Sequence, residues 1–340
     1  MSRSRIRLAL LGAGIYARDA HLPALQALED EFEIAAVYSR TEASARRLPE
    51  LLPRPPEIYT HVDTLLARPD IDAVDIVLPI MLLPEMIEKA LAAGKHVISE
   101  KPAAPDTARG RALLAYKARY PDRIWMVAEN FRYEPAYHHA AALLAQGVIG
   151  RATMMQWMVN IALDDQQAYY HTGWRQQPEH QGGYLFDVGV HHVAALRHLF
   201  GEIARVSGFA VSQRADLPPL DTIVTSLTFE SGLIGQYAVS FASQAPWQNY
   251  LHIIGENGVL SVERPHIEIV RAGEPVERLP MWEVHERSTT TMLRDFAALV
   301  RGEQALHADA AAQAVQDVAV VEAMLRAAAS GQVVTVERII

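Results

Sequence analysis

The sequence predicts an α/β protein: a doubly wound parallel sheet, then an α+β domain built on a large, mostly antiparallel open sheet. Three observations lead there. In the first third of the 340 residues, short apolar runs alternate with longer stretches of helical spacing, as parallel strands covered on both faces require. A glycine-punctuated turn follows the first apolar run. Beyond residue 130 strand candidates succeed one another without helices between them, the pattern of antiparallel pairing. The two domains are therefore expected at 1–129 and 130–340, with the C-terminal helices free to pack back on the first domain.

In chain order, Ile6–Leu11 reads as a buried strand, 15–28 as a helix, 34–38 as a strand and 62–67 as a short helix. Residues 73–78 form the next strand, and 84–93 have helical spacing that stops at Gly94, a good C-terminal cap. His96–Ser99 is a strand again, 107–118 a helix and 124–128 a further strand. The second domain opens with a helix at 135–146 and a long strand at 152–161, then a polar, aromatic-rich loop at 163–183 and a helix at 185–200. Strands follow at 203–212, Thr222–Phe229, 235–241 and 250–254, and Gly255-Glu256-Asn257-Gly258 makes a hairpin turn into 259–262. Helices at 289–300 and 310–329 end the chain, which carries no internal repeat.

Composition removes several functions. With 31 Lys+Arg against 40 Asp+Glu the net charge is −9, so a nucleic-acid or anionic-membrane binder, which needs a dense basic face, is not expected. The absence of cysteine excludes disulfides, thiolate metal sites and a cysteine nucleophile. The apolar run after Arg3, Arg5 and Arg7 is too short for a signal peptide. The longest later one, 73–87, is interrupted by Asp75, Pro79, Pro84 and Glu85. A soluble, cytoplasmic protein is expected.

Three motifs carry chemistry. Gly12-Ala13-Gly14-Ile15-Tyr16-Ala17 follows the first strand and opens a helix. Gly12 permits the tight turn, Gly14 lets the backbone approach a pyrophosphate, and small Ala17 lets helix and strand pack closely. At the end of the second strand, where an acidic residue would hold the ribose 2′-hydroxyl of NAD, stand Ser39 and Arg40. A small hydroxyl and a forked guanidinium favour the 2′-phosphate of NADP over NAD. Ser99-Glu100-Lys101-Pro102 lies directly after a strand, at the carboxyl edge where ligands sit in such sheets; Lys101 there can hydrogen-bond a substrate oxygen and assist proton transfer.

The third motif is Gly182-Gly183-Tyr184-Leu185-Phe186-Asp187-Val188-Gly189-Val190-His191-His192. On a helix, Asp187 and His191 share a face, a carboxylate beside an imidazole that can exchange a proton near neutral pH. A helix-terminal Asp with a core His is the plainer alternative. His171, His180, His191, His192, Glu179 and Asp187 crowd one window but show no compact ligand spacing, so no metal is expected.

In this order and spacing the three motifs resemble the glucose–fructose oxidoreductase/inositol dehydrogenase/MocA-like (Gfo/Idh/MocA) family of NAD(P)-dependent oxidoreductases, over nearly the whole chain. Ala93-Gly94-Lys95-His96-Val97 and the Gly255–Leu260 stretch add to the likeness, and Trp174-Arg175-Gln176-Gln177-Pro178 is similar to an NADP-using branch with fungal members. The resemblance implies an N-terminal Rossmann domain and catalytic roles for Lys101, Asp187 and His191. It implies cofactor contacts from Gly12, Gly14, Ile15, Tyr16, Ala17, Ser39, Arg40, Pro79, Glu100 and Lys101. Trp174, Arg175 and His180 are candidates for shaping the substrate end, with loop packing or subunit contact as the alternative. The implied partners are a small polar substrate, a sugar or polyol, and a second copy in a homodimer or homotetramer formed through the second-domain sheet. Two departures stand out. The Asn and His usual after the third of the resemblance's core strands are replaced in Pro79-Ile80-Met81-Leu82-Leu83, so an apolar wall must take over their cofactor contacts. Ala194 stands where many relatives carry Asp. A non-catalytic dinucleotide sensor and an NAD-dependent glycoside hydrolase are the rival readings.

Overall fold

The computed structural model describes residues 4–52, 54–263, 265–281, 284–307 and 309–339, and only the backbone of 49 and 284–287. The chain forms two compact units, one of residues 1–129 and 289–315, the other of 130–288 and 316–340. Residues 289–315 thus belong with the first unit and not with the rest of 130–340.

The first unit holds β1 (Ile6–Leu11), β2 (Phe32–Tyr38), β3 (Glu57–Tyr59), β4 (Ala73–Ile76), β5 (His96–Ser99) and β6 (Trp125–Val127) in one parallel sheet of order β3-β2-β1-β4-β5-β6. Leu8, Leu10, Leu11, Val74, Ile76, Val97 and Ile98 are buried, which is why these strands read as unbroken apolar runs. Its connecting helices are α1 (Leu22–Gln26), α2 (Glu42–Ala45), α3 (Val62–Leu66), α4 (Leu83–Ala92) and α5 (Thr107–Lys117). Strand β3 leaves no apolar signature because it is a three-residue edge strand carrying Glu57 and Tyr59. The strand order reverses between β1 and β4, where ligand crevices form in doubly wound sheets.

The helix expected unbroken over 15–28 is interrupted. Ala17–His21 is a π turn, closed by the Leu22 N–H on the Ala17 carbonyl, and α1 starts after it. Pro23 is the cause: it offers no N–H to the Asp19 carbonyl, and its ring would press on that oxygen in a regular helix.

The second unit holds α6 (Pro135–Ala145), β7 (Ala152–Asn160), α7 (Gly173–Gln176), α8 (Tyr184–Phe200), β8 (Ile203–Val211), β9 (Thr222–Phe229), β10 (Ile234–Ser240), β11 (Gln248–Gly255), β12 (Gly258–Glu263), β13 (His266–Arg271), β14 (Glu277–Pro280) and β15 (Val334–Thr335). The last two helices are α9 (Val284–Val300) and α10 (Ala310–Ser330). The sheet order is β14-β13-β12-β11-β7-β10-β9-β8-β15, with β7 and β10 parallel and the other pairs antiparallel. Period-2 alternation sorts its faces. Trp157, paired with Tyr237 and Leu251, lies on the buried face. One residue along, Phe209, Val224, Ala238, Met158 and Tyr250 form a cross-strand row on the other face, and Phe209, Val224, Met158 and Tyr250 are exposed. Ile234 and Met154 add a second exposed apolar pair. Among the described residues no helix is long and apolar enough to cross a membrane.

Candidate active site

The glycine turn sits at the carboxyl end of β1. Gly12 has φ 114°, and a Cβ there would lie 2.1 Å from the Val77 carbonyl oxygen, so a side chain is excluded by both conformation and space. Its N–H donates to the Tyr38 carbonyl at 2.9 Å, tying the ends of β1 and β2 together. Gly14 differs: a Cβ there would meet nothing within 4 Å. That open floor, followed by the helical residues Ile15 and Tyr16, leaves room for a pyrophosphate against bare backbone and its N–H groups. Ala17 is buried with Leu10, Leu22, Val37 and Leu48, the close packing a larger residue would prevent. These residues fit a dinucleotide.

Ser39 and Arg40 follow β2. The Ser39 N–H is bound by the Tyr59 carbonyl at 3.1 Å, and Arg40 is exposed with no acidic partner among the described residues. Its neighbours are otherwise engaged: Thr41 caps α2 through the Ser44 N–H, and Arg46 pairs with Glu42. Pro79 follows β4 and starts a short 3-10 turn, Ile80–Leu82, in which Met81 and Leu82 are exposed. Met81 and Leu82 thus present apolar surface after β4.

Glu100 and Lys101 follow β5, and the Glu100 N–H is held by the Ile76 carbonyl at 2.8 Å. The Glu100 side chain turns inward. Its Oε1 lies 2.9 Å from Nε2 of His21, whose Nδ1 is 2.7 Å from Oδ2 of Asp75. Burial alone would discharge this imidazole, but the two carboxylates outweigh it and push its pKa up to about 10. No motif in the sequence marks His21, and Asp75 stands out there only as a break in an apolar run. The available signal was Asp75 itself, an acid inside an apolar strand that requires a buried partner.

In the second unit, α8 carries Asp187 in its first turn, buried, and His191 one turn later, half-buried. The His191 ring stacks on Phe131, with centroids 4.5 Å apart and planes 17° apart. The adjacent His192 is the core histidine, with Nδ1 2.7 Å from the Tyr237 hydroxyl and its ring edge-on to Trp157. Arg175 Nε donates to Asp187 Oδ2 at 2.9 Å, and its guanidinium lies 4.0 Å over the Trp174 ring. Arg175 therefore holds the acid and Trp174 supports Arg175. His180 Nε2 is 3.3 Å from the carbonyl oxygen of Gly183, the residue before α8. Burial, the dominant cause, raises the Tyr184 hydroxyl pKa to about 12. The crowded histidine window disperses: His171 turns to the Asp165 carbonyl. Among the described residues no three His, Asp or Glu side chains gather as a metal site.

Comparison with known proteins agrees with this architecture. Residues 6–128 match the oxidoreductase family with NAD-binding Rossmann fold, and residues 137–261 match the GFO/IDH/MocA C-terminal domain. Dehydrogenase FPY6 of Fusarium mangiferae is 35% identical over 268 residues, covering 75% of this chain and 76% of that protein. A dTDP-3,4-didehydro-2,6-dideoxy-alpha-D-glucose 3-reductase of Actinomadura kijaniata is 31% identical over 262 residues, 76% of this chain and 75% of its own. The crystal structure of an oxidoreductase from Thermotoga maritima superposes with a TM-score of 0.90 at 35% identity, covering 98% of each chain.

Proposed function

The chain belongs to the GFO/IDH/MocA family of oxidoreductases with an NAD-binding Rossmann domain, and on that premise we propose that it moves hydride between NADP(H) and a carbinol or ketone carbon of a sugar or polyol. The observation that carries the reading is the pairing on α8 of a buried Asp187 with a half-buried, ring-stacked His191 one turn away. A protein that only sensed a dinucleotide would need neither, nor a lysine at the carboxyl edge of the sheet. The bound nicotinamide supplies or accepts the hydride. His191 exchanges the hydroxyl proton, Lys101 polarises the substrate oxygen, and Asp187, held by Arg175, orients the imidazole. Arg175 and Trp174 then act through the acid they support. The sugar class is supported by the dTDP-sugar reductase among the relatives. NADP is supported by the exposed Arg40, without an acidic partner among the described residues, at the point where an NAD-preferring sheet presents a carboxylate. A second copy of the chain covers the exposed Phe209–Val224–Met158–Tyr250 face.

A screen of sugars and polyols with NADP+ and with NAD+, followed by nicotinamide absorbance, tests the reading. Stoichiometric reduction on at least one sugar, faster with NADP+, is expected. Sugar consumption without net reduction would replace it by transient cofactor use.

A further inference from the structure

His21 is the buried charge that the proposed chemistry leaves without a task. It lies at the end of the π turn that follows the glycine turn, and its ring bridges Asp75 and Glu100 at 2.7 and 2.9 Å. The groups facing it are those two carboxylates, from β4 and from the turn after β5, and the Tyr16 ring from its own helical stretch, edge-on at 5.4 Å. A neutral imidazole has one N–H to donate; two ionised carboxylates on opposite ring nitrogens require two. Donating to a carboxylate from each nitrogen, the ring carries both protons and is a cation.

We propose that His21 is a positioning residue for the Lys101 turn, a doubly donating strut that fixes Glu100 from the helix of the glycine turn and so sets where the next residue, Lys101, is held. Glu100 is tethered twice, by its N–H to β4 and by its carboxylate to His21. Asp75 anchors the other side of the ring from within β4, where it is paired with Leu10 of β1 and Ile98 of β5. Its second oxygen, Oδ1, is buried with no hydrogen-bond partner among the described residues, so His21 supplies the compensation this carboxylate has. The strut also links the backbone proposed to hold the pyrophosphate to the lysine proposed to hold the substrate oxygen. The inference rests on the reading of Lys101 as an acid–base group.

The test compares wild type with His21→Gln, His21→Gln/Asp75→Asn, Glu100→Gln and Lys101→Met. In the wild-type protein, without cofactor or substrate, the ¹⁵N ring signals of His21 should remain those of an imidazolium at pH 8. Titration near the ordinary histidine value would overturn the strut. His21→Gln should lower kcat about 10- to 100-fold, the scale of a displaced catalytic group. Adding Asp75→Asn, which removes the buried carboxylate left without its counter-charge, should restore part of that kcat. No rescue by Asp75→Asn, or an unchanged kcat, in a folded His21→Gln protein would show the residue to be merely structural. If His21→Gln does not fold, Glu100→Gln takes its place: a loss in kcat that persists at saturating NADP+ supports the strut, and wild-type kcat rejects it. Near-normal turnover in Lys101→Met would instead sink the acid–base reading of the lysine, whatever His21 does.

Discussion

Replacing Arg40 by alanine separates the two cofactors with little side effect on the fold. The side chain is exposed and has no acidic partner among the described residues, so its loss should change stability by no more than about 0.5 kcal/mol. A charge-assisted, forked contact to a phosphate contributes about 1.5–3 kcal/mol, which at 1.4 kcal/mol per decade is about 10- to 150-fold in Kd. Because the position faces solvent, the lower half of that range applies at 0.15 M salt, where the Debye length is about 8 Å, and the upper half at low salt. Isothermal titration of wild type and Arg40→Ala with NADP+ and NAD+, at two salt concentrations, should show the loss for NADP+ alone. Ser39→Asp should move preference the same way, by placing a carboxylate where the 2′-phosphate would sit. Equal losses for both cofactors, or none for NADP+, would refute the assignment of Arg40.

Lys101→Met and His191→Ala should each lower turnover about 10²–10⁴-fold while NADP(H) affinity stays within a few-fold, read by steady-state kinetics beside fluorescence titration. Asp187→Asn should be comparably damaging, since it removes the charge that Arg175 holds. Gly12→Ala must place a Cβ against the Val77 carbonyl at positive φ and should cost about 3 kcal/mol or more, seen as a large fall in melting temperature. Light scattering should find wild type oligomeric at micromolar concentration and a Met158→Glu/Phe209→Asp variant monomeric; a wild-type monomer would leave the exposed sheet face unexplained. Finally, the His21 pKa is raised from 6.5 unfolded to about 10 folded. Its contribution to stability is therefore complete below pH 6.5 and lost as pH rises through about 10, so urea unfolding should show stability falling across that window in wild type and less steeply in His21→Gln.

The parallel strands were legible because strands buried on both faces leave unbroken apolar runs, as Ile6–Leu11 does. The glycine turn was legible because only glycine tolerates the Gly12 geometry. Edge strands β3, β14 and β15 were not: they are short and largely uncovered, and so carry no apolar pattern. Along one chain, spacing also identified which residue types could do acid–base work, placing Lys101 after a strand and Asp187 and His191 four apart. It could not say which of two neighbouring histidines faces the core. That was decided by the pairing of β10 with β7, which brings Tyr237 to His192 and leaves His191 on Phe131. Nor could it assign Arg175 to Asp187, 12 residues away across a loop, or join His21, Asp75 and Glu100, separated by 54 and 79 residues. Local sequence determines backbone conformation and the supply of charged groups. Which charges meet is set by long-range closure of the sheet, because a buried charge is stable only where the fold brings it a counter-charge.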